Sequence, residues 1–289
     1  MQLSTASRKK ANIRMAIQGP SGAGKTYSSL LIAYGLCKDW SKIAVVDTEQ
    51  GSSHLYSSLG SFKVLTLSAP HTPERYIEAI TTCEASGMEV IIIDSTTHEW
   101  EYLLDYHSSL PGNSFTNWNK VTPRHNQFIQ KLLLSRAHII ATIRTKQDYV
   151  LSDKNGTLSP EKVGLKSVQR DGLEYEFTLV FDVDIRNNAR ASKDRTGLFF
   201  GKPQAKLTVQ TGEQIASWCE SGKEMSPEEL MVRISSCTAV EELFQLYYQY
   251  PQFQGAFKTE YETQKRKILI QQQTQSVILP IPSNNGTTH

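Results

Sequence analysis

The 289-residue sequence contains no stretch of 18 or more apolar residues, and Arg8, Lys9 and Lys10 precede Ile13 where a secretory leader would need an apolar run and a cleavage site. A membrane span and a signal peptide are therefore not expected, and the reading is a cytoplasmic protein with no membrane partner. Cysteine is scarce: Cys37, Cys83, Cys219 and Cys237 stand far apart without a CxxC pair, and the seven histidines show no zinc-ligand spacing. Reduced thiols and no structural metal are expected. An excess of one charge is lacking too, since 31 Lys plus Arg against 29 Asp plus Glu leave only +2. Net charge thus announces no polyanionic partner, and any nucleic-acid contact has to come from local clustering.

What is present is the balance of a globular protein, 39% hydrophobic and 21% charged, with material for one sizeable core and a small annex. Aliphatic runs bounded by turn residues recur at 13–18, 43–47, 62–67, 90–94, 138–143 and 177–185, and helical periodicity fills 26–37, 73–85, 97–106 and 121–135. This alternation predicts an α/β fold with a mostly parallel, doubly wound sheet. Between about 147 and 170 the pattern turns polar around Asn155-Gly156, a dipeptide suited to a tight turn, which predicts a projecting β-hairpin. The core is expected to span 1–222. A small helical region follows over 223–270, opened by Ser226-Pro227-Glu228-Glu229 as cap, first-turn proline and first-turn acids, and then a disordered polar tail over 271–289.

The segment Gly19-Pro20-Ser21-Gly22-Ala23-Gly24-Lys25-Thr26 fits GxxxxGK[ST] between a strand and a helix, the context a P-loop requires. Its glycines let backbone amides wrap phosphates, Lys25 neutralises their charge and the Thr26 hydroxyl is placed to ligate magnesium. Gly19 to Tyr27 are accordingly the expected ATP-binding residues, with ATP and Mg2+ as cofactors. Four buried aliphatics end in Asp94, at the sheet edge where open α/β folds hold ligands, so Asp94 is the expected magnesium carboxylate beside Thr26. Ser95 follows it, so the general base must come from elsewhere. Glu49, just past the strand at 43–47, is the candidate to orient the attacking water, with Glu99 and Glu101 as rivals.

Asp47-Thr48-Glu49 and Ile93-Asp94-Ser95 together resemble the RecA-like recombination ATPases. In those a glutamate just past the second strand is the catalytic base, and a serine follows the Walker B acid. The run 139–146 looks like the family's sensor strand, which would give Thr142 the γ-phosphate-reporting place and lead into a DNA-binding loop; the bacterial recombinase has glutamine there. Lys193-Asp194-Arg195 resembles the KxR finger that enters a neighbouring subunit's site, which would make Lys193 and Arg195 act in trans within a homo-oligomeric ring or filament. Over 13–218 the sequence is similar to compact phage and mobile-element ATPases, including the Sak-type single-strand annealing ATPases. That resemblance implies a RecA-like P-loop fold, single-stranded DNA as partner, DNA-stimulated ATP hydrolysis and a part in recombination or replication, with a single-strand-binding or recombination protein as a further partner.

Local charge is compatible with that implication. Arg144, Lys146, Lys154, Lys162, Lys166 and Arg170, with Tyr149 for stacking, read as a phosphate-tracking loop with an aromatic platform, against Asp148, Asp153, Glu161 and Asp171 in the same stretch. Trp100, Tyr102, Phe115 and Trp118 are read as packing residues. The alternatives are a regulatory ATPase that recruits a protein through its C-terminal helices and a small-molecule P-loop kinase. The latter would need an arginine-bearing lid that the sequence does not display.

Overall fold

The computed structural model describes residues 10–154, 157–222 and 226–277, with the side chains of 147–165 and 272–277 outside that description. Its first compact unit, Met1–Lys223, alternates strand and helix. The order is β1 (Arg14–Gly19), α1 (Lys25–Cys37), β2 (Ile43–Asp47), β3 (Lys63–Thr66), α2 (Pro73–Ala85), β4 (Val90–Asp94), α3 (Thr97–Ser109) and α4 (Ser114–Leu133). Then come β5 (His138–Lys154), β6 (Thr157–Ser167), β7 (Leu179–Val183), β8 (Ala189–Asp194) and α5 (Val209–Glu220). The sheet runs β3-β2-β4-β5-β1-β7-β8, parallel as far as β7; β8 pairs antiparallel with β7, and β6 antiparallel with β5. The fold is α/β with a mostly parallel sheet, that of a P-loop NTPase.

All five residues of β2 and of β4 are buried, because helices cover both sheet faces. Alternate side chains serve the two layers: Val90 and Ile92 join Leu30 and Ile32 of α1 and Ile215 of α5, whereas Ile91 and Ile93 join Tyr76 of α2 and Phe128 of α4. Each fully buried isoleucine contributes about 2 kcal/mol of transfer free energy, so continuous aliphatic runs, not alternating ones, mark these strands. Helices α1 and α5 cross at Gly35 and Gly212, where a Cβ on either would overlap the other helix's backbone. That contact needs two glycines and locks the P-loop helix onto the end of the unit.

Two departures from the sequence reading bear on the site. Helix α4 starts at Ser114 instead of 121, because Asn113 caps it by accepting the Phe115 N–H at 2.8 Å, and the helix passes through Pro123. Strand β5 does not stop at 143 but runs on to Lys154, pairing with β6 as a ribbon, so the expected hairpin is a prolongation of a central strand. The turn at Asn155-Gly156 lies outside the described residues.

The second compact unit, Glu224–His289, holds α6 (Pro227–Ser236), α7 (Val240–Gln249) and α8 (Lys258–Val277). Ser226 and Glu229 close a capping box at the start of α6, and Leu230, Ile234, Leu243, Phe257, Tyr261 and Ile268 form its own core. Helix α8 runs on through 271–277, residues whose Gln-rich composition reads as tail; 278–289 lie outside the described residues. Among the described residues no helix is long and apolar enough to cross a membrane.

Candidate functional site

Parallel pairing brings the C-terminal ends of β1, β2, β4 and β5 to one edge of the sheet. Asp47 stands in register with Asp94, Ile17 with Thr142 and Gly19 with Arg144. The turn from β1 into α1 uses left-handed backbone at Gly22 and Gly24, and Gly24 is the N-cap of α1 with no side chain capping the first-turn amides. Those amides and the positive helix end are therefore free of an internal anion and suited to phosphate. A Cβ on Gly24 would stand 2.8 Å from the Asn187 amide nitrogen, so the β7–β8 turn closes over the loop. Buried Lys25 curls back and donates to the Gly19 and Pro20 carbonyls at 3.0 and 2.9 Å. Burial lowers its pKa below the ordinary lysine value, while Asp94 and Glu49 oppose that shift.

Asp94 is buried and receives two hydroxyls: Thr26 donates to one carboxylate oxygen at 2.6 Å and Thr142 to the other. Burial raises its pKa above the usual carboxylate value, and the two hydroxyls pull the other way. A carboxylate and a hydroxyl this close, beside a helix N-terminus, are the hard oxygen donors that magnesium takes, so the residues fit the ion that ATP would bring. The peptide between Asp94 and Ser95 is cis. Thr48, at the end of β2, ties this turn down: its hydroxyl accepts the Ser95 N–H at 2.8 Å and lies 2.7 Å from His98 Nδ1.

Glu49 sits on a loop organised by Asp47. The Asp47 carboxylate, 1% exposed, accepts the backbone N–H of Glu49 at 2.7 Å, of Gly51 at 3.3 Å and of Ser53 at 2.9 Å, plus the Ser53 hydroxyl. Burial works to raise its pKa, but these four donors hold it below the ordinary value. Glu49 itself makes an ion pair with Arg144, Nη2 at 2.8 Å and Nε at 3.0 Å from the same oxygen. Arg144 enters the sequence reading as a DNA contact; here it is the partner of the expected base, one strand end away from the P-loop. The rival Glu99 is fully buried and bound to His125 Nδ1 at 3.0 Å, committed to the packing between α3 and α4.

The remaining expected residues lie elsewhere. Lys193 and Arg195, at and just past the end of β8, reach the carbonyl of Tyr175 in their own chain, and Lys193 also that of Glu174 at 2.9 Å. Lys146 and Lys166 face one another across the root of the ribbon, and Arg170 donates to Asn126 at 3.2 Å. Tyr149, Lys154 and Lys162 belong to the ribbon strands, but their side chains lie outside the described residues.

Sequence reasoning missed several groups at the site. The Asp47–Ser53 loop had a local signal, an acid followed by Gly51 and Ser53, which is how a carboxylate gathers downstream amides. Asn187 over Gly24, the Glu49–Arg144 pair, and Gln169, buried with its amide on the Thr96 carbonyl at 3.0 Å, had none. Tyr27 and Tyr56 meet beside the P-loop helix with ring centroids 5.9 Å apart.

Residues 11–216 match the family model described as AAA domain. No curated protein matches the chain.

Proposed function

The chain belongs to the AAA-domain family of P-loop ATPases, and from that premise we propose that it is a magnesium-dependent ATP hydrolase whose turnover is governed by single-stranded DNA on the β5–β6 ribbon. The observation that carries this reading is the Glu49–Arg144 pair at 2.8 Å. At this edge Asp47 and Asp94 are buried and Glu99 is bound to His125, whereas Glu49 is only partly buried and its single ion-pair partner among the described residues is Arg144. Arg144 is the last β5 residue in register with β1, and the same strand then runs on as the ribbon. Whatever shifts the ribbon root moves the cation that neutralises the base.

The residues divide the work as follows. The loop amides and Lys25 hold the β- and γ-phosphates; Thr26 and Asp94 hold magnesium, which when bound neutralises charge on the transferring phosphoryl. Thr142 fixes the orientation of Asp94 through its hydroxyl. Glu49, once its carboxylate is released from Arg144, accepts a proton from the attacking water. Tyr27, next to Thr26, meets Tyr56 and offers an aromatic surface to the nucleobase. Lys193 and Arg195 serve a neighbouring protomer in a homo-oligomer, where a cation supplied in trans ties hydrolysis to assembly. The biological setting in this reading is recombination or replication of a phage or mobile element, of the single-strand annealing type, alongside a single-strand-binding or recombination protein.

The test is ATP hydrolysis by the full chain with and without single-stranded DNA over a salt titration. Stimulation that fades as salt rises is the expected result; hydrolysis indifferent to DNA at every salt concentration refutes the coupling. One observation favours a second reading, a regulatory ATPase that recruits a protein: the second unit exposes Met231, Val232, Phe244 and Tyr248. DNA-indifferent hydrolysis with a co-purifying protein would select it.

A further inference from the structure

The geometry points to a slot for one unstacked nucleotide of single-stranded DNA in the groove between α3, α4 and the ribbon root, built from Trp100, Phe115 and Trp118 on one side and Lys146, Lys166 and Arg170 on the other. This rests on the single-strand reading above and adds to it the aromatic half of the site, which composition alone assigns to packing.

The groove has a volume of about 760 Å³, within the range of small-ligand pockets. Its aromatic wall is a preformed stack. Trp118 lies between His107, centroids 4.2 Å apart at 24°, and Trp100, 5.9 Å apart at 21°. Trp100 in turn meets His125 edge-on at 5.3 Å, and His125 is held from within by the buried Glu99 carboxylate. The platform is thus anchored by a buried hydrogen-bond partner and loses little freedom when a flat ligand joins it. Phe115 stands at the rim with 84% of its surface exposed, a position in which an aromatic ring gains nothing from folding.

The opposite wall is cationic. Lys146 and Lys166 are directly opposed across the antiparallel ribbon, an arrangement in which like charges repel and a bridging anion is welcome. Arg170 extends the line. Among the described residues the acid lining the groove is Asp171, paired with Lys166 at 3.1 Å, so three described cations face one described carboxylate. Rings that stack a base beside cations that take the flanking phosphates are the two elements of sequence-tolerant single-strand binding. A duplex does not meet them, because its bases are already stacked. An acidic peptide meets the charge but leaves the flat platform unused.

The test measures binding of a fluorescein-labelled oligothymidylate to the full chain by anisotropy. Phe115→Ala and Trp118→Ala should each weaken binding about tenfold, and Trp118→Phe, which restores a flat ring, should recover most of it. Lys166→Gln and Arg170→Gln should each weaken binding and reduce the slope of log Kd against log salt by about 0.7, which the aromatic variants leave unchanged. Phe115 is exposed, so its variant folds normally and keeps the test decisive if Trp118→Ala does not fold. If the oligonucleotide binds wild type and both aromatic variants equally, the slot is refuted while the single-strand reading stands. If wild type binds no oligothymidylate, or binds a Glu/Tyr copolymer in its place, both fall.

Discussion

Replacing Asp47 by alanine tests whether one buried carboxylate organises the loop that presents Glu49. Of its four donors, the Glu49 and Gly51 amides are on half-exposed residues and can turn to water once the carboxylate is gone, so their loss costs little. Ser53 is fully buried, and both its N–H and its hydroxyl lose their acceptor. Each buried donor left unsatisfied costs about 1–3 kcal/mol, so Asp47→Ala should destabilise the first unit by roughly 3–4 kcal/mol. All four tryptophans, Trp40, Trp100, Trp118 and Trp218, belong to that unit, so urea unfolding followed by tryptophan fluorescence reports it selectively. The sign of the pH dependence is fixed as well. The folded Asp47 pKa lies below 3.8, so its contribution is complete above the unfolded value and is lost as pH falls through the lower folded one. The gap between wild type and variant should be flat near neutrality and should close only below about pH 4. ATP turnover should drop with it, because the Glu49 loop loses its template. A loss under 1 kcal/mol, or a gap that persists into strong acid, would refute the reasoning.

Three further outcomes follow from the same geometry. Glu49→Gln should cut turnover by about 10²–10⁴ while ATP still binds, measured by steady-state hydrolysis beside a fluorescent-nucleotide titration; the lost pair with Arg144 is partly exposed and costs no more than about 1 kcal/mol of stability. Gly24→Ala forces a left-handed residue and pushes a methyl group against Asn187, so it should cost about 1–2 kcal/mol of folding free energy and weaken nucleotide binding; unchanged affinity would show that the P-loop tolerates that methyl. Arg195→Ala protomers titrated into wild type should depress turnover more steeply than their fraction, whereas simple dilution of activity would remove the trans role.

The part of the site legible in the sequence is the part made by neighbours along the chain. Gly19 to Thr26 reads as a phosphate loop because glycines, lysine and threonine stand at fixed offsets between an aliphatic strand and a helix, and Asp94 stands out by ending a strand buried on both faces. The same aliphatic runs dictate the parallel sheet, since a strand that alternates polar and apolar residues could not lie between two helical layers. The extent of β5 was not legible, because polar residues beyond 143 are compatible with a loop and become strand only when β6 pairs with them. Helix α4 began early for a similar reason: Asn113 is a cap only once the chain around it has turned.

Which cation faces which acid was decided by tertiary structure alone. Glu49 and Arg144 are 95 positions apart and meet because the sheet order inserts β4 and β5 where it does, a choice made by non-local packing that no spacing records. Trp118 and Lys166 come to one groove for the same reason. Local steric and hydrogen-bonding rules fixed the phosphate loop and the strands from sequence; the pairings that would turn them into a regulated machine depend on long-range burial, which only the folded chain resolves.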